Sequence, residues 1–263
     1  MIIVKIGGGS AISLEHIASD LAAIKEPVIV VHGANAVRDQ LAHDLGKPPR
    51  VVTSLSGYDS VLADDSAMDL MMMAYAGLQN KRLVALCRQQ GLNAIGLTGL
   101  DGGLVEGVRN RGIRTKQNGK KVILRDFSGK PVRINTQLLE LLLSQGYLPI
   151  VTVPIIDENG HAISTDNDEI VACLRDAMNA TAVVQLIEAP GLMADPSEPT
   201  SMIKKMKHQE LDIWEQRLGG RIKRKLLALK KLYRSGHPSV VIADGRGEAP
   251  LTQALAGGGT WIQ

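Results

Sequence analysis

Short apolar runs alternate along the chain with longer segments in which apolar residues recur every three or four positions. The short runs are IIVKI, VIVVH, NAIGLTG, YLPIVTV, TAVVQLI and PSVVIAD. The segments with helical spacing are residues 14–24, 36–44, 66–90, 168–178 and 221–235. Unbroken apolar strands that alternate with helices are typical of a parallel sheet covered on both faces. The pattern therefore predicts an α/β fold, a three-layer α/β/α sandwich with a mainly parallel central sheet.

Two stretches depart from this alternation. Residues 103–129 contain glycine turns between strand-like flanks and have no helical face, which predicts a β-hairpin. Residues 189–200, APGLMADPSEPT, are typical of a loop.

Composition narrows the function classes. A chain of 263 residues that is 44% hydrophobic can bury a large core, as one large domain or two lobes. A net charge of +3 and 3% aromatic residues argue against nucleic-acid binding. Cys87 and Cys173 each lie in an apolar helical pattern, so we expect packed, reduced thiols. The first apolar run ends by Ile6 and no run reaches eighteen residues, so we expect a cytoplasmic protein without a membrane segment.

Two predicted strands end in glycine, KIGGGS at residues 5–10 and HGAN at residues 32–35. If the strands are neighbours, both turns lie at one rim of the sheet, where α/β proteins bind ligands. Backbone N–H groups at such turns can converge on a phosphate, although a tight turn without a ligand is the plainer alternative. Lys5 is a cation in an otherwise apolar strand, which is costly unless the charge is paired or meets a ligand.

Two helix starts carry unusual charge. In STDNDE, Thr165 or Asp166 can cap the helix, but the sequence has three acids within four residues, so capping and a functional role explain the turn equally well. In GGRIKRK the first turn carries four cations, which oppose the helix dipole unless an anion lies nearby. A solvated basic face explains most of these cations but hardly all.

KIGGG, VVHG, the TDND turn and GGRIKRK resemble, in order and spacing, the amino-acid kinase family and most closely its N-acetylglutamate kinase branch. The agreement covers nearly the whole chain, and no single motif decides it. LGKPPR, GLQNKRL and NAIGLTGLDGG look most like the kinases that phosphorylate aminoadipate or glutamate on the LysW amino-group carrier protein. The resemblance implies one kinase domain, 1–263, with an acceptor lobe of about 1–175 and a nucleotide lobe of about 176–263.

The resemblance also implies ATP as donor, Mg²⁺ on its phosphates, and roles for matching residues. The catalytic set would be two lysines on the transferring phosphoryl group and an aspartate that holds them: Lys5, Lys225 and Asp168. N–H groups for the phosphate would come from Gly7, Gly8 and Gly33. The nucleotide would lie along Glu188, Gly191, Leu192 and Lys223. Because a carboxylate acceptor is already ionised at neutral pH, catalysis reduces to alignment and charge cancellation, and a lysine can follow the moving phosphoryl group.

The acceptor side departs from the family pattern. The candidate substrate-binding residues are Ala34, Asn35, Val61 and Ser164. The family usually has glycine at the first of these positions, an arginine for the substrate α-carboxylate at or near Val61, and asparagine at the last. Losing a bidentate arginine removes a charge-assisted pair of hydrogen bonds. Either Asn35, Arg38 or Arg50 compensates, or the acceptor differs.

The predicted hairpin carries only basic charge between residues 109 and 125: Arg109, Arg111, Arg114, Lys116, Lys120, Lys121 and Arg125. A solubilising edge is the plainer alternative, and docking of an acidic carrier protein is the favoured interpretation. The Met-rich helix is apolar around much of its circumference. In the family that the chain resembles, the corresponding helix forms a dimer interface, so the resemblance implies a homodimer, with a wholly buried helix as the alternative.

Three functional hypotheses follow. The leading one is ATP-dependent phosphorylation of the side-chain carboxylate of aminoadipate or glutamate on the carrier. The second is an N-acetylglutamate kinase, which takes a small N-acylated amino acid. The third is a nucleotide-binding regulatory homologue with impaired catalysis, motivated by Ala34, Val61 and Ser164.

Overall fold

The computed structural model of the chain describes residues 1–55, 59–117, 119–195, 197–198, 200–217, 220–233 and 236–263, with only the backbone described at 59, 60, 216, 217 and 220–225. The elements up to the middle of the chain are β1 (Ile2–Ile6), α1 (Leu14–Leu21), β2 (Val28–His32), α2 (Asn35–Asp44), β3 (Val51–Thr53), β4 (Asp59–Val61), α3 (Asp65–Met71), a π-helix (Met72–Gln79), α4 (Asn80–Gln89), β5 (Ala94–Thr98), a 3-10 turn (Asp101–Gly103), β6 (Val105–Arg109), β7 (Ile113–Gln117), β8 (Lys120–Leu124) and β9 (Gly129–Ile134).

The remaining elements complete the sheet and its cover. They are α5 (Thr136–Ser144), β10 (Leu148–Thr152), β11 (Ile155–Ile156), β12 (Ala162–Ile163), α6 (Asn167–Met178), β13 (Ala182–Ile187), β14 (Lys205–Met206), a second 3-10 turn (His208–Glu210), α7 (Leu211–Arg217), α8 (Gly220–Leu232), β15 (Ser239–Asp244), α9 (Pro250–Leu255) and β16 (Thr260–Ile262).

The central sheet has the strand order β14-β16-β15-β13-β1-β2-β10-β5 in the described part of the chain. Its paired strands are parallel except for β15 with β16. Side chains alternate between two cores. Ile3 and Val31 face the core shared with α6 and α8, while Val4 and Val30 face the core shared with α1, α4 and α9. The predicted three-layer α/β/α sandwich is confirmed.

The hairpin region is more elaborate than predicted. β7 and β8 form the antiparallel hairpin, but β6 and β9 on either side of it pair with each other. They join β11 and β12 in a second sheet. A further small hairpin, β3 with β4, and the helices α5, α7 and α9 were not predicted by the apolar pattern.

The Met-rich segment is continuous helix from α3 through the π-helix to α4. Met68, Met71 and Tyr75 are buried, whereas Met73 is 43% and Leu78 39% exposed. The alternative of a wholly buried helix is therefore wrong. The homodimer stays a prediction.

Other predictions can be checked at this level. Cys87 and Cys173 are free thiols, and burial raises the pKa of each to about 11, which keeps both protonated at neutral pH. The predicted lobe boundary near residue 175 falls inside α6, and β13 pairs directly with β1, so the division into lobes stays a prediction. No helix among the described residues has the length and apolar character needed to cross a membrane.

Candidate active site

The two glycine turns meet at the carboxyl ends of β1 and β2. A Cβ atom placed on Gly8 would lie 2.6 Å from the backbone nitrogen of Asn35 and 2.7 Å from that of Ala34. A Cβ on Gly33 would lie 2.9 Å from the nitrogen of Gly8. Since real Cβ atoms do not come this close to backbone, both positions require glycine for the two chains to cross. The sequence prediction that the turns share one rim agrees with this geometry.

Some N–H groups at the rim bond to carbonyls of the neighbouring strands, and others have no backbone acceptor in the described part of the chain. Gly7 donates to the Leu186 carbonyl at 2.8 Å, and Gly33 donates to the Ile6 carbonyl at 2.9 Å. Both N–H groups extend the ladder of the sheet, and their role towards a phosphate stays a prediction. Within the described residues, no acceptor is found for the N–H groups of Gly8 and Asn35, while the N–H group of Ala34 hydrogen-bonds to the Tyr75 hydroxyl.

These N–H groups lie where α2 begins. The residue before the helix, Ala34, offers no side-chain cap, so the positive end of the helix is left to backbone N–H groups alone. An uncapped helix start beside a glycine crossing is a favourable place for a phosphate. Ala34 is completely buried, so its methyl group faces the interior and does not narrow the rim.

Lys5 and Asp168 form an ion pair beneath this rim. The Lys5 Nζ atom lies 3.2 Å from Asp168 Oδ1, and each side chain is 13% exposed. Lys5 comes from the penultimate position of β1 and Asp168 from the first turn of α6. The pairing offsets the cost of placing an ammonium group in an apolar strand, and leaves both groups partly open to a ligand.

The acidic turn has a different partner for each acid. Asp166 caps α6, since its side chain accepts a hydrogen bond from the Asp168 N–H at 3.1 Å. Glu169 pairs with Lys231 of α8. The sequence left open whether capping or a functional role explains the three acids. In the structure Asp166 caps the helix, whereas Asp168 and Glu169 each form an ion pair. Desolvation and the negative charge of Asp168 raise the pKa of Asp166, and the Lys5 ammonium opposes this rise.

Lys223 and Lys225, two of the predicted basic residues, lie in α8. Only their backbone is described, and their side chains lie outside the described part of the structure. What is described of α8 packs on α6: Leu226 and Leu229 are fully buried, and Arg175 of α6 donates to the Leu232 carbonyl. The meeting of Lys225 with Lys5 and Asp168 stays a prediction.

On the predicted nucleotide side, Glu188 follows β13 and is tied to the first glycine turn. Its carboxylate accepts from the Ala11 N–H at 2.6 Å, and a Cβ on Gly9 would lie 1.9 Å from its Oε2 atom. Leu192 is buried in the core, and its N–H donates to Thr260 Oγ1 at 2.8 Å. A Cβ on Gly191 would lie 2.6 Å from the same hydroxyl. These contacts hold the loop, and contact with a nucleotide stays a prediction.

The predicted acceptor residues lie in different places. The Asn35 side chain accepts a hydrogen bond from Tyr75 of the π-helix. Val61 is 45% exposed and lines a cavity of about 170 Å³. Ser164 joins two strands through its backbone, since its N–H donates to Phe127 and its carbonyl accepts from Gly129. The described contacts therefore place Asn35 at the glycine rim and Ser164 in a link between backbone segments, and substrate binding by either residue stays a prediction.

Three cations share the cavity with Val61, namely Arg38, Lys47 and Arg50. Arg38 is paired with Asp39 at 2.7 Å. Of the candidates named from sequence to replace the missing arginine, Arg38 and Arg50 thus reach one cavity beside α2. Lys47 was missed, because nothing in LGKPPR distinguishes it from a solvated lysine.

Sequence reasoning also left His32 without a role. Its Nδ1–H donates to the Gly33 carbonyl at 3.1 Å, and its Nε2 accepts from Asn80 Nδ2 at 3.1 Å. Asn80 also donates to the Ile150 carbonyl. Burial lowers the pKa of His32 to about 4, so the ring is neutral and holds the second glycine turn in place. The signal was visible in VIVVHG, a histidine at the end of a buried strand.

The chain matches the sequence profile of the amino acid kinase family over residues 1–244. The chain belongs to this family. It is 40% identical to the [LysW]-aminoadipate kinase of Thermus thermophilus, with all of both chains covered. It is 31% identical to the acetylglutamate kinase of Methanopyrus kandleri, again over the whole of both chains. The predicted membership, in the branch of these kinases, is confirmed.

Solved structures support the fold. The carbamate kinase of Giardia superposes with a TM-score of 0.68 at 14% identity, covering 100% of this chain and 98% of that chain. At this identity the likeness concerns the arrangement of strands and helices alone.

Proposed function

We propose that the protein is an ATP-dependent kinase that phosphorylates the side-chain carboxylate of aminoadipate carried on LysW, forming an acyl phosphate. Full-length identity of 40% to a [LysW]-aminoadipate kinase supports the acceptor. The observation that carries the chemistry is the Lys5–Asp168 ion pair at the glycine crossing, where the N–H groups of Gly8 and Asn35 have no acceptor among the described residues.

The chemistry at this site needs no general base. The acceptor carboxylate, with a pKa of about 4, is ionised at neutral pH and can attack the γ-phosphorus directly. Lys5 neutralises charge on the transferring phosphoryl group, and the N–H groups of the rim hold its oxygens. Asp168 holds the Lys5 ammonium near the line of transfer. Lys225 is proposed as a second cation on the same group.

Magnesium is proposed to arrive on the nucleotide phosphates. The described residues contain no group of three His, Cys, Asp or Glu side chains able to hold a metal ion, so its ligands would come from ATP. When bound, the ion would supply positive charge that offsets the negative charge of the nucleotide phosphates.

The carrier is proposed to dock on the basic hairpin, β7–β8. Six of its predicted cations are exposed on or beside the two strands and form no ion pair with a described carboxylate: Arg111, Arg114, Lys116, Lys120, Lys121 and Arg125. Arg109 instead lies over the Phe127 ring at 4.2 Å. A row of exposed, unpaired cations favours an acidic partner by electrostatic complementarity.

The hairpin also borders a recess of about 530 Å³ shared with β3, which contains Val51, Leu55 and Leu124. Leu55 donates to the Arg114 carbonyl at 2.8 Å, and Thr115 Oγ1 donates to the Thr53 carbonyl at 2.7 Å. The two hairpins are thus joined, and the recess between them combines apolar side chains with the cations Arg50 and Lys116. Such a surface suits a folded acidic partner better than a free amino acid.

The decisive experiment compares acceptors. The purified protein is incubated with Mg-ATP and either carrier-bound aminoadipate, carrier-bound glutamate or N-acetylglutamate, and acyl phosphate is trapped with hydroxylamine. We expect turnover with carrier-bound aminoadipate. Turnover of N-acetylglutamate alone would instead identify an acetylglutamate kinase of arginine biosynthesis. Nucleotide binding without acceptor-dependent ADP release would identify a regulatory homologue.

Matched variants tie the activity to the site. Lys5→Met removes the buried ammonium, and we expect kcat to fall by about 100-fold or more. Lys25→Met changes an exposed lysine away from the rim, and we expect unchanged kcat. Equal activity of the two variants would show that the ion pair is structural.

A further inference from the structure

Gln185 is a buried amide that no contact explains. It lies in β13, is 1% exposed, and its Oε1 atom has no hydrogen-bond partner among the described residues. Buried polar groups are nearly always satisfied, and one that is not calls for an explanation, of which a catalytic role is one. An apolar residue of similar size would avoid the cost of burying the amide.

The register of the sheet places Gln185 beside Lys5. The row of paired residues across four strands reads Val31, Lys5, Gln185 and Ile242. Residues paired in this way point to the same face of the sheet, and neighbouring strands lie about 4.8 Å apart. The outer members of the row are aliphatic, so Lys5 is the polar neighbour of the amide on this face.

The two groups are chemically complementary. An ammonium group has three donors and no acceptor, and Asp168 Oδ1 lies at 3.2 Å from it. The carbonyl oxygen of an amide is an acceptor without charge. It can therefore hold Lys5 without competing for it as strongly as a second carboxylate would.

The neighbouring turn has the same character. Thr165 Oγ1 and Asn167 Oδ1, on either side of the helix cap Asp166, are also buried without a hydrogen-bond partner in the described part of the chain. Buried oxygen atoms without donors among the described residues thus occur both beside Lys5 on the sheet and in the turn that leads to Asp168. A catalytic role is one of the explanations for such atoms.

We propose that Gln185 is a positioning residue: its Oε1 atom accepts a hydrogen bond from the Lys5 ammonium when a terminal phosphate draws Lys5 away from Asp168. The amide keeps the ammonium on the line of transfer between ATP and the acceptor. This inference rests on the proposed kinase function. It adds a residue that acts on the phosphate through Lys5.

Two substitutions separate this role from packing. Gln185→Met removes the acceptor atom and keeps an apolar side chain of similar length, so we expect the melting temperature to stay equal or rise while kcat falls by about tenfold. Gln185→Glu keeps an acceptor but buries a charge. We expect it to melt lower than Gln185→Met and yet to retain a higher kcat. A packing role predicts the same order in both measurements.

The control is the other neighbour of Gln185 in the row. Ile242→Met changes buried volume little, and we expect kcat and the KM for ATP to stay at the wild-type values. If Gln185→Met also keeps wild-type kcat, the proposal is overturned. If Gln185→Met and Gln185→Glu lose stability and kcat in parallel, Gln185 serves packing and the proposal is likewise overturned.

A binding measurement separates this inference from the proposed function. The affinities for ADP and for the ATP analogue AMP-PNP, each with Mg²⁺, are compared by calorimetry without any acceptor. We expect the preference for AMP-PNP, which carries the terminal phosphate, to shrink by about tenfold in Gln185→Met. An unchanged preference would overturn the role of Gln185 even in a protein that phosphorylates no tested acceptor. Absence of turnover with a reduced preference would count against the acceptor alone.

Discussion

At the scale of single residues, the site depends on two glycines, because a Cβ atom at either position would prevent the backbone segments from meeting. Gly8 and Gly33 allow two backbone segments to cross within distances that no Cβ tolerates. The crossing turns the N–H groups of Gly8, Ala34 and Asn35 away from the sheet ladder. This explains why Ala34 and Asn35 can follow Gly33: their backbones are needed at the rim, while the close approach concerns Gly8 and Gly33 only.

His32 predicts how stability depends on pH. Its folded-state pKa of about 4 lies below the ordinary value of 6.5, so folding favours the neutral ring. The stability this provides is complete above pH 6.5 and is lost as the pH falls towards 4. At about pH 5 we expect the free energy of unfolding to be lower by about 2 kcal/mol than at about pH 7.5 through this residue.

Urea unfolding at both pH values measures the effect. In His32→Gln the ring cannot gain a proton, so we expect the loss on acidification to be smaller by that amount, although the variant is less stable at neutral pH. His43→Gln, at an exposed position, should keep the wild-type pH dependence. An identical acid loss in wild type and His32→Gln would show that His32 does not stay neutral in the fold.

Single residues also show the limit of sequence reasoning at this scale. Lys5 and Asp168 could be named because a cation in an apolar strand and an excess of acids at a helix start are local anomalies. Tyr75, Asn80 and Gln185 could not be, since each sits in an ordinary helix or strand pattern. Their significance comes from partners distant in the chain, such as Asn35 for Tyr75 and His32 for Asn80.

At the scale of elements, the Met-rich helix serves two environments at once. Tyr75 contacts Asn35 at the glycine rim, while Met73 and Leu78 of the same π-helix are exposed. A π-helix is rare, and its wider turn redistributes side chains around the axis. Apolar side chains left on the surface of a helix next to the site favour an interface with a second copy of the chain.

We therefore expect Met73→Lys to convert a dimer into a monomer, because a buried lysine at a symmetric interface is doubled by the two-fold axis. Analytical ultracentrifugation over a range of concentrations measures the state. Leu141→Lys places the same charge at an exposed leucine on α5 and should leave the dimer intact. A monomeric wild-type protein, or dissociation by Leu141→Lys alone, would contradict the assignment of this helix to the interface.

The elements that the apolar pattern predicted are the buried ones. Five strands of the central sheet are buried on both faces, and their nearly unbroken apolar runs predict them directly: β1, β2, β10, β13 and β15. β3 and β4 have three residues each, too few for any period to show. The pairing of β6 with β9 encloses the β7–β8 hairpin, and this nesting is set by tertiary contact with β11. The π-helix was not predicted, because eight mostly apolar residues are too few to show a period that differs from that of an α-helix.

At the scale of the whole molecule, charge is distributed unevenly although the net charge is only +3. The exposed cations of the β7–β8 hairpin face solvent without carboxylate partners among the described residues. Several charges elsewhere are paired nearby, as in Arg133 with Glu106 and Lys230 with Asp212. The hairpin is therefore a local positive field on a nearly neutral molecule, and such a field acts mainly on the association rate with an acidic partner.

The double variant Lys120→Glu/Lys121→Glu tests this field. With carrier-bound acceptor we expect kcat/KM to fall by about tenfold or more, through KM, because charge reversal removes steering and adds repulsion. With a small N-acylated acceptor that the enzyme turns over, kcat/KM should not change. The difference between wild type and variant should shrink when ionic strength rises from about 50 to about 300 mM, since screening weakens the field. Lys204→Glu/Lys205→Glu, a matched pair of exposed neighbouring lysines at β14, the edge strand of the central sheet, should behave as wild type with both acceptors. Equal losses in the two double variants would assign the effect to net charge, and a loss that does not depend on salt would assign it to misfolding of the hairpin.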